Sequence, residues 1–109
     1  MRPSTSQFVY RFLRPSTRGV VEREVLIPVD GRLQPALLFV PDSQALDRPG
    51  WILLHGMTVP GRHHAGVFRF GRALAAAGAV AICPEIPDWT SLRVDPRPVH
   101  PTLVAAAEA

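Results

Sequence analysis

The chain has 109 residues, room for one small domain. With 47% hydrophobic and 19% charged residues, it is not a disordered or purely solvating chain. The formal net charge is +3, yet every strong base is an arginine, the arginines fall mostly one at a time, and no nucleic-acid-binding module is present. A single cysteine excludes an internal disulfide framework, and no uncharged apolar run is long enough to span a bilayer. Nucleic acid and membrane are therefore not expected partners, and a cytoplasmic location is expected. The twelve prolines and the arginine excess read as base composition plus loop markers.

Residues 1–19 read as a leader, expected to be loosely ordered, in which Phe8, Val9, Tyr10, Phe12 and Leu13 form an apolar cluster able to dock on a domain. Residues 20–109 read as the domain itself. Val21, Arg23, Val25, Ile27 and Val29 alternate with Glu22, Glu24 and Leu26, the period of a strand. Asp30-Gly31 then signals a two-residue hairpin turn. The returning strand runs from Arg32 to Val40, and its Pro35 predicts an edge position or a bulge. A proline-bearing loop follows to Gly50.

Trp51-Ile52-Leu53-Leu54 is wholly apolar, as a strand buried on both faces requires, and it stops at His55-Gly56. Pro60-Gly61 marks a turn. From about Ala65 to Ala77, Val67, Phe70, Gly71, Leu74, Ala75 and Gly78 recur on one helical face. Gly71 in mid-helix costs about 1 kcal/mol against alanine, which close approach to a sheet would offset. Gly78 stands where a left-handed helix cap belongs. Ala79 to Cys83 forms a second apolar run closed by Pro84, completing a strand–helix–strand unit. After a loop through Pro98, Thr102 is placed as the N-cap of a last helix, Leu103 to Ala109, which has no C-cap signal.

The ordered set Trp51 to Thr58, the helix through Gly71-Arg72-Ala73-Leu74-Ala75-Ala76-Ala77-Gly78, and Ala81-Ile82-Cys83-Pro84-Glu85-Ile86-Pro87 resembles the N-terminal part of the α/β-hydrolase fold. The resemblance implies an α/β class, with a partial hydrolase-like sheet made of an N-terminal hairpin and a βαβ unit. It implies that the apolar strand ending in His55 lies beside the strand of Ala79 to Cys83 and is otherwise an exposed edge, a pairing hazard. In that family a backbone N–H after the third strand helps to stabilise the oxyanion of an acyl-transfer intermediate. Carried over, the donor is the N–H of Met57, with Thr58 beside it, Gly56 allowing close backbone approach and His55 shaping the loop.

The family also needs a G-x-S-x-G elbow, then an acid, then a histidine. None of Ser4, Ser6, Ser16, Ser43 and Ser91 has glycine two residues away on both sides. Ser91, Asp95 and His100 occur in the right order but lie too close together to come from separate strand ends. Cys83 reads as a core thiol, and Glu85 as a structural loop residue. The expectation is thus the N-terminal portion of a serine hydrolase acting on an ester or similar acyl substrate, holding part of the oxyanion hole and no catalytic residue, inert alone. A non-catalytic module pairing through its sheet edge, with itself or a partner, is the competing expectation. Adjacent His63-His64 cannot share a helix face and lack companions at ligand spacing, so no metal is expected. Without a P-loop or G-x-G-x-x-G pattern, no cofactor is expected either.

Overall fold

The computed structural model describes residues 5–42, 48–56, 60–86 and 99–109. Its elements run α1 (Thr5–Leu13), β1 (Val20–Val29), β2 (Arg32–Pro41), β3 (Gly50–Ile52), a 3-10 turn (Gly61–His63), α2 (Ala65–Ala76), β4 (Val80–Pro84) and α3 (Val99–Glu108). The strands form one mixed sheet of order β1-β2-β4-β3. β1 and β2 pair antiparallel, as do β2 and β4, whereas β3 and β4 are parallel. This is the α/β class expected, with a hairpin leading into a strand–helix–strand unit.

The hairpin closes through Asp30 (φ 49°) and Gly31 (φ 78°), the two left-handed residues of a type I′ turn. Val29 then faces Arg32, which sets the register for ten paired positions on each strand. Strand alternation sorts the side chains of the sheet onto its two faces. Leu37 and Phe39 of β2 join Ala81 and Cys83 of β4 beneath Val67, Leu74 and Ala75 of α2. Ala36 and Ile82, with Ile27 and Val29 of β1, pack on Ala105 and Ala106 of α3. The sheet is thus covered by one helix on each face, and Ala36, Phe39 and Cys83 are fully buried.

Pro35 is not at a sheet edge, as its residue type predicts; β2 is a central strand. The register explains why proline is tolerated. The β2–β4 ladder ends at Ala36↔Pro84, and one residue further the Pro35 carbonyl still accepts from Glu85 N–H at 3.0 Å. The reciprocal donor is the group proline lacks, so pairing stops there. Thr102 is likewise not an N-cap. The last helix begins at Val99, and Thr102 lies within it, fully buried. Pro101 fits because the first helical turn leaves its N–H groups without intrahelical acceptors.

α2 obeys its pattern closely. A Cβ placed on Gly71 would stand 2.4 Å from two ring carbons of Phe39, so the helix meets the sheet only because that position has no side chain. At the C-terminal end Gly78 takes φ 104°. Its N–H donates to Ala75 O at 3.0 Å, and Ala79 N–H reaches Leu74 O at 3.0 Å, the paired bonds of a Schellman cap. The apolar segment of residues 8–13 lies in α1, where the rings of Phe8 and Phe12 pack 5.0 and 6.0 Å from Phe70 of α2. Arg69 Nε adds a bond of 2.6 Å to Phe12 O. Among the described residues no helix is long and apolar enough to cross a membrane.

Gly71→Ala should gain about 1 kcal/mol of helix propensity but force the buried Phe39 ring aside, an overpacking cost of about 1–3 kcal/mol. A net loss is expected in urea unfolding, relieved in the double variant with Phe39→Leu. A more stable single variant would show that the helix can lift off without cost.

Candidate functional site

β3 leads into His55, and the burial of that side chain governs the local geometry. Its relative exposure is 1%. A buried imidazole needs partners for both nitrogens. Nδ1 lies 2.8 Å from the carbonyl oxygen of Gly56. Nε2 lies 2.9 Å from the backbone N–H of Ile86 and 2.7 Å from Oε2 of Glu85. The imidazole thereby ties the end of β3 to the end of β4.

Glu85 reaches further. Its other oxygen, Oε1, accepts from Arg62 Nη1 at 2.7 Å. Arg62 sits in the 3-10 turn before α2, just after Gly61, whose φ of 54° turns the chain inward. Its fork also engages Glu24 of β1, with Nε at 2.9 Å and Nη2 at 2.8 Å from the same oxygen. His63 Nε2 is 2.8 Å from that oxygen too. The result is a chain of polar contacts from buried His55 through Glu85, Arg62 and Glu24 to the exposed His63. Glu24 and Glu22 both lie on the face of β1 that looks toward α2. Glu22 pairs with Arg72, whose Nη2 stands 3.2 Å from Oε2.

The electrostatics follow from burial set against partners. Burial disfavours a charged imidazole, but the Glu85 carboxylate outweighs it and His55 titrates above its ordinary range. Burial raises a carboxyl as well, yet the bonds from His55 and Arg62 hold Glu85 below the usual range. The Arg62 guanidinium does the same for Glu24. Cys83, beneath them, is a free buried thiol that burial pushes up to about 12, so it carries no thiolate at neutral pH.

An open apolar cleft of about 590 Å³ runs beside His55. Trp51, Leu54 and Gly56 line one side; His64, Val67 and Phe70 line the other. His64 is the N-cap of α2, its Nδ1 accepting from Gly66 N–H at 3.0 Å. Histidine is an uncommon cap, so its sequence position carried no such signal. Trp51 and Leu54 are half exposed, not buried on both faces as an apolar run in a central strand would be. The reason is topological: β4 covers one edge of β3, and no described strand covers the other.

Of the residues singled out from the sequence, His55 and Gly56 border this cleft. Met57 and Thr58 lie outside the described residues, as do Ser91 and Asp95. His100 is exposed in the first turn of α3, beside Pro28 and Asp30, and belongs to the opposite face of the sheet. Among the described residues no group of three or more His, Cys, Asp or Glu side chains could hold a metal ion. Arg62 and Glu24 were not legible as site neighbours, because their partners lie 23 and 38 residues away in the chain.

No protein-family model and no curated protein sequence matches the chain. Solved structures do. Brefeldin A esterase, described as a bacterial homologue of human hormone-sensitive lipase, superposes with a TM-score of 0.67 and 27% identity over 86% of this chain. A cold-adapted esterase from an Arctic intertidal metagenomic library gives 0.54 and 24% over 66%. A protein from Klebsiella pneumoniae, described as a dienelactone hydrolase, gives 0.51 and 23% over 78%. This chain spans 28%, 30% and 36% of those three chains, respectively. With its sheet order and its strand-end His-Gly beside an apolar cleft, the protein therefore has an α/β-hydrolase-type fold, matched over part of that fold's length.

Proposed function

We propose that these 109 residues are the N-terminal portion of a serine hydrolase acting on an ester or similar acyl substrate, and that they carry part of its oxyanion hole. The observation that carries this is the position of His55-Gly56. The pair stands at the carboxyl end of a strand parallel to its neighbour, at the mouth of an apolar cleft, which is where open α/β sheets bind ligands. Likeness to an esterase at 27% identity supports the same reading. In it the Met57 N–H is the donor to the developing oxyanion, a group typically worth about 2.7–4 kcal/mol of transition-state stabilisation. Gly56 lets the backbone approach, Thr58 borders the pocket, and buried His55 shapes the loop. The cleft walls of Trp51, Leu54 and Phe70 suit an apolar acyl group. A cytoplasmic location belongs to the same proposal.

A second reading rests on the open edge of β3. Trp51, Ile52 and Leu54 are 46%, 36% and 50% exposed, an apolar and unpaired strand end of the kind that invites pairing. On that reading the chain is a non-catalytic module that self-associates through β3.

The purified 109-residue chain should not hydrolyse a generic p-nitrophenyl ester above buffer rates; turnover sensitive to a serine reagent would sink the residue assignment. Reading the coding sequence past Ala109 should show a strand followed by G-x-S-x-G, and a long non-coding stretch there would overturn the portion-of-a-hydrolase proposal. Light scattering distinguishes the second reading: a folded dimer that Ile52→Lys returns to monomer favours it, and a monomeric or molten wild-type chain counts against it.

A further inference from the structure

His55 and Arg62 stand at the two ends of the short segment on which the oxyanion proposal rests, and one carboxylate reaches both. Glu85 Oε2 is 2.7 Å from His55 Nε2, and Oε1 is 2.7 Å from Arg62 Nη1. All three side chains are withdrawn from solvent, at 0%, 12% and 15% exposure for His55, Glu85 and Arg62. We propose that Glu85 is the positioning residue of this segment, stapling the end of β3 and the turn before α2 to the end of β4 with one oxygen each. Its functional meaning rests on the oxyanion proposal. The staple itself is a property of the chain that can be measured without substrate.

The two arms behave differently, because Nε2 of His55 has a single in-plane position for a proton or a lone pair. It is 2.9 Å from Ile86 N–H and 2.7 Å from Glu85 Oε2. When Nε2 bears no proton, its lone pair accepts from Ile86, and Glu85 Oε2 is left buried without a hydrogen-bond partner. When solvent supplies a proton, Nε2 donates to Glu85 instead. Nδ1 keeps its bond to Gly56 O in both states. The His55 arm is thus closed by protonation, while the Arg62 arm stays closed because a guanidinium does not titrate.

The charged and titratable groups around His55 agree with this. Glu85 follows β4, Cys83 within β4 is a neutral thiol, and Arg62 approaches from the 3-10 turn with Glu24 of β1 and His63 behind it. His64, the cap of α2, lines the same cleft. For His55, burial is outweighed by Glu85, so its folded pKa lies above the ordinary 6.5. Its stabilising share is complete below 6.5 and lost as pH rises through the folded value. Glu85 is held below its ordinary 4.5, so its share is complete above 4.5 and lost as pH falls through the folded value. Both arms are closed between the folded values of the two groups.

The test is NMR of the 109-residue chain with ¹⁵N-labelled histidine. In the wild type, the His55 Nε2 shift should pass from lone pair to N–H as pH falls, and the Ile86 amide should move with the same midpoint. In Glu85→Gln the His55 midpoint should drop. Amide exchange should then quicken at least about tenfold at His63 and His64, which donate to Pro60 O and Gly61 O, while the Ile86 amide stays bonded to unprotonated Nε2 down to lower pH. The amides of the β1–β2 ladder should keep their protection. Arg62→Lys should quicken exchange at His63 and His64 while leaving the His55 arm closed at low pH. An unchanged His55 midpoint in Glu85→Gln overturns the proposal, as does equal acceleration of every amide, since Glu85 would then serve global stability alone. If Glu85→Gln does not fold, the wild type still decides: an Ile86 amide indifferent to His55 titration overturns the staple. Failure of the oxyanion proposal shows elsewhere, in a downstream sequence with no nucleophile elbow, and leaves these results untouched.

Discussion

Phe39 has no exposed surface, and the space its ring occupies exists because residue 71 has no side chain. That contact sets how closely α2 lies on the sheet. From it follow the burial of Leu37, Ala81 and Cys83, the direction in which α2 points its N-terminal end, and the depth of the cleft beside β3. A glycine in mid-helix gives up about 1 kcal/mol of propensity. A buried phenylalanine contributes more than that in apolar area removed from water. The balance explains why a weak helix residue sits at the centre of the best-formed helix.

The second organising feature is electrostatic. On one face of β1, where a two-layer domain would place apolar residues, stand Glu22 and Glu24, and arginines of the opposing elements meet them. Single exposed ion pairs contribute little. Here Arg62 binds two carboxylates through separate N–H groups, and one of them, Glu85, is nearly buried beside His55. A charge in that position is costly unless matched. Arg69 also has a defined partner in Phe12 O, and Arg48 bonds the carbonyl of Gly78 at the helix cap. The arginine excess, base composition by sequence, is therefore partly engaged in specific contacts.

β3 shows how an apolar strand can be correct in sequence and incomplete in space. It is parallel to β4, bonded among the described residues along one edge, and apolar grooves flank it on both sheet faces. The residues have the composition of a strand with two neighbours and two covering layers. Structures that share the fold extend well beyond the portion this chain matches. A parallel strand with one neighbour gains half the hydrogen bonds that its backbone can make.

Local information determined much of the architecture. Asp30-Gly31 specifies the hairpin because both residues accept positive φ, and the register of ten pairs follows from that turn. The spacing of Val67, Phe70, Gly71 and Leu74 specifies α2, and Gly78 specifies its end. His55-Gly56 was visible as the stop that follows the third strand, although β3 itself ends at Ile52, earlier than the apolar run through Leu54 implies. Every relation between distant segments needed the tertiary structure. Pro35 sits in a central strand because the β4 ladder stops beside it. Thr102 is buried in a helix that starts four residues earlier than its cap-like character suggests. The site's Arg62, Glu24 and Glu85 are ordinary surface residue types by sequence, and they become neighbours of His55 only when β1, β4 and the turn before α2 converge. Turn and helix signals act over a few residues and can be read locally. Charge networks depend on distances that the folded chain alone sets.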